Sequence, residues 1–389
     1  MKKLYVSFIL TFIVTALSAQ MTTENITWGG QQREYLKYVP QSCNNGEASS
    51  VLFCLHELGA TALECYETLN ANQFAEEMGW IMIFPQALEG SALGYNVGSF
   101  WNVGITATVY GMPISINADV DDSGLMLAIL DELETAYNVQ SDSVFFAGFS
   151  LGGFMCQRIA IEHGDRINAI ASVSGTIGND FASATPVDNV NVLHIHGTAD
   201  DVVSYDNAEF TYPQIGTFSA GLGAEATVEF WRSFNHCLDE AVVENYPDIQ
   251  NDGLTFELHT FLNGDADSRV ALMKVNGGQH AWYTQETNDV DYAQEIFKFF
   301  TNTMDPTGIN ANYANNAVKV YPNPARGLVN INIDGESTLW VKVFDVFGRE
   351  VLNQCISTSV LDLSSLPNGI YGLRLVGKQS YSAKIMVSK

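Results

Sequence analysis

The sequence predicts a two-part chain: an α/β domain with a mostly parallel sheet covered by helices on both faces, then a small C-terminal all-β sandwich. Three observations carry this. Short apolar runs rich in Val, Ile and Phe alternate with amphipathic stretches of helical period through most of the chain. Beyond residue 317 the apolar runs are separated instead by Gly, Pro, Asn and Asp clusters, with no helical stretch between them. Charge breaks at the same place: residues 20–316 carry 8 Lys/Arg against 39 Asp/Glu, a net −31, whereas residues 317–389 carry 8 against 5, a net +3.

Taken in order, a basic start (Lys2, Lys3), an apolar run over 4–14 and small residues at Ala16, Ser18 and Ala19 predict a signal peptide over 1–19. That run is shorter than the ~20 apolar residues a bilayer span needs, and no later run reaches that length, so no membrane span is expected. Strands are expected over 51–56, 80–85, 143–147, 169–173, 190–196 and 270–275, helices over 124–137, 151–163, 224–234 and 290–300, and a further strand over 256–262. The large domain is therefore assigned to 20–303 and a polar, aliphatic-poor linker to 304–316. The sandwich takes 317–389, with strands expected over 328–333, 339–344 and 370–376.

The acidity of the large domain excludes partners more than it names them. Nucleic acid and anionic surfaces need Lys/Arg to neutralise phosphate, so neither is expected, and a neutral substrate fits better. Six cysteines in an exported chain permit disulfides but are too sparse for a disulfide-stapled scaffold. Cys54 and Cys156 fall on core elements and Cys355 in the small domain, leaving Cys43, Cys65 and Cys237 to form at most one pair. No Cys/His cluster has zinc spacing. The run Asp119-Val120-Asp121-Asp122-Ser123-Gly124 opens like a calcium loop, but its twelfth place is Leu130 where a bidentate Glu belongs. It reads as a helix cap, so no metal or other cofactor is expected.

Chemistry concentrates in three loops that follow predicted strands. Gly148-Phe149-Ser150-Leu151-Gly152-Gly153 stands between an apolar strand and a helix, the context that forces a serine outward on a tight turn and aims the Leu151 N–H at a developing oxyanion. A serine hydroxyl needs a base, and the base a carboxylate to fix its tautomer. Gly197-Thr198-Ala199-Asp200 follows the 190–196 strand, making Asp200 the expected acid, with Asp201 and Asp206 as competing carboxylates. Gly277-Gly278-Gln279-His280 follows the 270–275 strand, making His280 the expected base. His194 and His196, inside a strand, and His56, at a strand end, are read as structural. The loop His56-Glu57-Leu58-Gly59 should supply a second oxyanion donor, assigned to the Leu58 N–H. Trp282, Trp101 and Tyr205 are expected to line the substrate pocket.

Four segments, GFSLGGFM at Ser150, HGTADDVVSY at Asp200, GGQHAW at His280 and DVDDSGLMLAILDEL before the nucleophile strand, together resemble the secreted polyhydroxybutyrate depolymerase and feruloyl esterase family of α/β-hydrolases. The resemblance covers 31–300. It implies an α/β-hydrolase fold and ester hydrolysis through an acyl-enzyme, on feruloyl or acetyl esters of polysaccharide or on a polyester. Peptide hydrolysis on the same fold and a catalytically silent binding protein are the competing readings. Three departures stand out: Glu57 where the family's first-strand motif has glycine, Ser204 where HGTAD-x-VVPY has proline, and Ala281 with Tyr283 around Trp282. From Val318, the runs VKVYPNPARGLVNINI and LPNGIYGLRLVGKQSYSAKIMVSK resemble the C-terminal sorting domain of type IX secretion in the Bacteroidetes. That implies export, with the secretion machinery as partner and an extracellular or cell-surface destination.

Overall fold

The computed structural model describes residues 20–46, 48–109, 111–212, 216–284, 287–303, 318–333, 339–344, 350–356, 360–376 and 380–389. The expected signal peptide and linker lie outside these residues.

The large domain opens with an antiparallel hairpin, β1 (Gln20–Trp28) and β2 (Gln31–Val39). Strand β3 (Ser49–Leu55) leads into α1 (Ala62–Thr68) and α2 (Ala71–Met78), then β4 (Trp80–Pro85). Two small hairpins follow: β5 (Glu89–Ala92) with β6 (Tyr95–Ser99), and β7 (Thr106–Val109) with β8 (Met112–Ser115). The centre of the chain runs α3 (Asp122–Ala136), β9 (Val139–Phe149), α4 (Leu151–His163), β10 (Ala169–Val173) and β11 (Asn191–Gly197). A third hairpin, β12 (Glu209–Tyr212) with β13 (Gly216–Ser219), precedes α5 (Ala224–Phe234), β14 (Val242–Asn245), β15 (Thr255–Phe261), β16 (Val270–Asn276) and α6 (Tyr292–Thr303).

Ten of these strands form one sheet in the order β1-β2-β4-β3-β9-β10-β11-β16-β15-β14. Its middle, from β4 to β16, is parallel, and both flanks are antiparallel. Strand β3 is buried along its whole length, as expected of a parallel strand covered on both faces. Its side chains divide by period 2: Val51, Phe53 and Leu55 join one core with Leu130, Phe154 and Ile159 of α3 and α4. Leu52 and Cys54 join the other with Ala75 of α2 and Phe297 and Phe300 of α6. Helix α3 buries Leu125, Met126, Ile129, Leu130 and Leu133, one face of a helical period, each contributing about 1.5–3 kcal/mol. Asp121 caps it by accepting the Gly124 N–H at 2.9 Å, which is the cap reading of the acidic run. Asp122 turns inward and pairs with buried Arg33 of β2 at 2.7 Å.

Strand β14 ends the sheet on one side, and all four of its residues are exposed, Val242 and Val243 among them. The hairpins β7–β8 and β12–β13 bring Ala107, Ile114, Phe210 and Phe218 around Leu151 and Phe154. Among the described residues, no helix is long and apolar enough to cross a membrane. Cys43, Cys54, Cys65, Cys156 and Cys237 are free thiols, so the pair left open among Cys43, Cys65 and Cys237 does not form. The Cys43 and Cys237 thiols turn instead to the carbonyls of Gly79 and Ser268.

The C-terminal region is all β. One sheet orders Val318–Tyr321, Leu328–Ile333 and Val360–Asp362; the other orders Glu350–Ile356, Leu339–Phe344, Gly369–Val376 and Ser380–Val387. Both are antiparallel, and alternate residues such as Val329, Ile331, Val341, Val343, Leu373 and Ile385 make its separate core.

Candidate active site

Strands β3, β9, β11 and β16 are mutually parallel, so the loops leaving their carboxyl ends emerge along one edge of the sheet, where such folds hold their sites. Those loops carry Glu57, Ser150, Asp200 and His280 respectively.

Ser150 sits between β9 and α4 at φ 53°, ψ −118°, a region non-glycine residues rarely occupy. The two glycines two positions before and after it make the turn sterically feasible. A Cβ on Gly152 would lie 2.0 Å from the Leu55 carbonyl oxygen, and one on Gly148 would lie 2.4 Å from that of Gly152. Leu151 is the first residue of α4, where a backbone N–H has no partner within the helix.

His280 Nε2 lies 2.9 Å from Ser150 Oγ and Nδ1 lies 2.8 Å from Asp200 Oδ2. A carboxylate only accepts, so Nδ1 carries the proton and Nε2 is free to accept from the serine hydroxyl. Asp200 Oδ1 accepts the Val202 and Val203 N–H groups at 3.0 and 2.8 Å, which locks the carboxylate plane. Burial alone would raise the Asp200 carboxyl, but hydrogen bonds from His196 and His280 outweigh it and hold the group well below the usual carboxylate range. Asp201 and Asp206, the competing carboxylates, are exposed and bond to neither histidine.

His196, read from the sequence as structural, supports Asp200 from within its strand. Its Nε2 lies 2.9 Å from the Val203 carbonyl and 3.4 Å from Asp200 Oδ2, so this nitrogen donates, and its Nδ1 accepts from His194 Nε2 at 3.1 Å. Both rings are fully buried. Burial, then the neighbouring His196, push His194 well below the usual histidine range, and through His196 this ring buttresses Asp200. The signal was present: His194 and His196 share one strand face, and His196 precedes Asp200 by one tight turn.

The remaining pocket assignments divide. Trp282 borders a cavity of about 260 Å³ together with Glu57, Cys65, Thr68, Gly148 and Phe149. Trp101 does not reach it: the ring is fully buried against His56, and its Nε1 donates to the His56 carbonyl at 2.9 Å. Tyr205 is likewise directed elsewhere, its ring edge-on to His196 and its hydroxyl bonded to Glu225. Both are corrections to the sequence reading, and in both the polar handle of the aromatic is used by the protein itself. Phe149, not singled out in the sequence, packs 4.9 Å from the His280 ring.

His56 anchors the loop that carries Glu57 and Leu58. Its Nε2 accepts the Ala87 N–H at 3.1 Å, so its Nδ1 carries the proton and donates to the Glu57 carbonyl at 2.7 Å. Leu58 lies in the turn closed by the Ala60 N–H on the Glu57 carbonyl, and its own N–H makes no hydrogen bond among the described residues. Burial lowers the His56 pKa from 6.5 to about 4. A folded value below the unfolded one means that stability is full above pH ~6.5 and is lost as pH falls towards 4. Relative to His56→Gln, which does not titrate, wild type should therefore lose on the order of 2–3 kcal/mol of unfolding free energy across that window. Denaturant melts of both proteins at pH 7.5, 5.5 and 4.5 check this, and parallel losses would refute it.

Comparison with known proteins bears on this geometry. Residues 41–245 match the family model described as Phospholipase/Carboxylesterase, and residues 319–388 match the Secretion system C-terminal sorting domain. A protein of Nocardia uniformis subsp. tsuyamanensis named as an esterase is 28% identical over 271 residues, covering 68% of this chain and 74% of its own. The bifunctional acetylxylan esterase/xylanase XynS20E of Neocallimastix patriciarum is 24% identical, covering 67% of this chain, though the match spans only 33% of that protein. The acetyl xylan esterase from Aspergillus awamori aligns over 72% of this chain and 98% of its own, with 16% identity and a TM-score of 0.47. The carboxylesterase match takes in the segments that carry Glu57, Ser150 and Asp200 and extends over more than half of the sequence. The chain therefore belongs to the phospholipase/carboxylesterase family: it is a serine carboxylester hydrolase of the α/β-hydrolase fold, joined to a secretion-system sorting domain.

Proposed function

We propose that Ser150 is the nucleophile, His280 the general base and Asp200 the acid of a secreted esterase whose substrates are acetyl or feruloyl esters of polysaccharide. The observation that carries the reading is the hydrogen-bond chain Ser150 Oγ, His280, Asp200 at 2.9 and 2.8 Å, on a strained turn at the carboxyl edge of the sheet. Ser150 Oγ attacks the acyl carbon while its proton passes to His280 Nε2. The Leu151 and Leu58 N–H groups hold the resulting oxyanion. The imidazolium then protonates the leaving alcohol oxygen as the C–O bond breaks, giving an acyl-enzyme. Water, deprotonated by Nε2, attacks the acyl carbon, and the proton returns to Ser150 as the acid departs. No cofactor enters these steps.

The domain assignment belongs to the same reading: signal peptide 1–19, catalytic domain 20–303, linker 304–316 and sorting domain 317–389, with export through the type IX machinery to the cell surface or medium. The names of the acetylxylan and feruloyl esterase relatives support carbohydrate-linked esters. Assay of the purified protein against p-nitrophenyl acetate, methyl ferulate, acetylated xylan, a hydroxybutyrate oligomer and a peptide anilide tests this. Turnover of acetylated xylan or methyl ferulate is expected. Turnover confined to the oligomer would move the substrate to a polyester, cleavage of the anilide alone would make a peptidase, and no turnover would leave a binding protein.

A further inference from the structure

Glu57 occupies a position that the oxyanion loop gives no reason to charge. A carboxylate directed at the oxyanion would oppose the transition state, yet the side chain is half-buried and makes no hydrogen bond among the described residues. It borders the 260 Å³ cavity, with the Trp282 ring among the other lining residues and Thr68 and Glu64 at the rim. Glu64 is already committed to its own helix, its carboxylate accepting the Thr61 N–H and hydroxyl, so Glu57 is the carboxylate left for a ligand. Burial raises the Glu57 carboxyl, and a positive charge on His280, as forms during proton transfer, would act in the opposite sense.

The side of the site follows from proton transfer. His280 delivers its proton to the leaving oxygen, so the alcohol half of the ester lies on the His280 side, and Phe149, whose ring packs against His280, lines the cavity together with Trp282 and Glu57. A half-buried carboxylate gains nothing from an aliphatic polyester chain and loses hydration to it. Hydroxyl groups repay that loss, because hydrogen bonds to an ionised acceptor are among the stronger ones. The cavity is smaller than a typical small-molecule site of roughly 300–1,000 Å³, a volume suited to one ring rather than a chain.

We propose that this cavity is the leaving-group subsite, that it takes a polyhydroxylated ring such as a pyranose, and that Glu57 selects it by accepting hydrogen bonds from the ring hydroxyls over the Trp282 face. The inference rests on the esterase reading and names which half of the ester is recognised. Glycine, which the resembled family carries at this place, offers no such acceptor.

The test compares the full chain with Glu57→Ala and Glu57→Gln on two esters sharing one acyl group: a xylo-oligosaccharide acetate and p-nitrophenyl acetate. In Glu57→Ala the ratio of kcat/KM for the sugar ester to that for the aryl ester should fall by roughly 10- to 100-fold, mostly through KM, the worth of one or two such hydrogen bonds. Glu57→Gln, which still accepts through its amide oxygen, should recover part of that ratio. A ratio that moves by less than about twofold in Glu57→Ala, or a wild type that cleaves the aryl ester and leaves the sugar ester untouched, overturns the subsite. A preference for acetylcholine that Glu57→Ala abolishes would put a cation in the cavity and overturn the polyol. A wild type inert on both acetates would refute the esterase reading itself, a distinguishable result.

Discussion

Ser150→Ala should lower kcat for p-nitrophenyl acetate by at least about 10⁴-fold while the melting temperature stays close to that of wild type. The hydroxyl is the group removed, and among the described residues it bonds to His280 Nε2, so little packing is lost with it. A residual rate above background is expected from the proposed oxyanion donors, the Leu151 and Leu58 amides, acting on attack by water. The loss should be confined to kcat, because the methyl side chain leaves the 260 Å³ cavity and Trp282 in place. Burst-phase measurement adds a check: wild type should release nitrophenol in a burst equal to the enzyme concentration if deacylation is slow, and the variant none. A variant retaining a tenth of the activity would remove Ser150 from the chemistry and direct attention to another nucleophile.

Arg33→Met should cost about 3–5 kcal/mol of stability, on the order of 10 °C in melting temperature for a domain of this size. Arg33 and Asp122 are both fully buried, and their 2.7 Å ion pair joins the second strand of the sheet to the start of α3. The arginine also donates to the Gln86 carbonyl at 3.2 Å, and the other Asp122 oxygen accepts the Asn102 N–H at 2.8 Å, so one pair ties four segments together. Burial raises the Asp122 pKa, and Arg33 is the chief influence opposing that rise. Without it the folded-state pKa climbs further above the unfolded value. The deficit should then be greatest at neutral pH and shrink as acid protonates the carboxyl. Adding Asp122→Asn to the variant should restore part of the loss at pH 7 by removing the unpaired charge. A shift below about 2 °C would mean that the pair contributes no more than a surface ion pair.

How much of this was legible in the sequence depended on whether a residue's role is local. Apolar runs such as 80–85 and 169–173 coincide with strands because a strand buried on both faces needs continuous hydrophobicity. The hairpin of Gln20–Trp28 and Gln31–Val39 was missed because its edge strand mixes polar and apolar residues, and its second strand sets buried Arg33, exposed Glu34 and half-buried Lys37 among its apolar residues. The short helices Ala62–Thr68 and Ala71–Met78 span two turns each, too few for a period to stand out, and are held by a capping box and by packing. At the site, Ser150, Asp200 and His280 could be singled out because each follows a strand in a glycine-bearing loop. The orientation of Trp101 and Tyr205 could not, since nothing local says that an indole N–H goes to the His56 carbonyl or a phenol to Glu225. Arg33 escaped notice because its partner is 89 residues away.

The open flank formed by Val242–Asn245 bears on how this protein tolerates crowding by its own kind. Its outer backbone donors and acceptors and its exposed valines offer a template onto which another chain's strand could add, and among the described residues no further strand is paired with it. Glu244 lies within that edge, Asp239 and Glu240 shortly precede it, and the whole chain carries a formal charge of −26 at pH 7. Colloidal repulsion thus does the guarding that a covering element does elsewhere, and its reach is the Debye length of the medium, about 8 Å at physiological ionic strength. Salt, or acid that neutralises the carboxylates, weakens that guard, so pairing of molecules through this edge should respond to the medium.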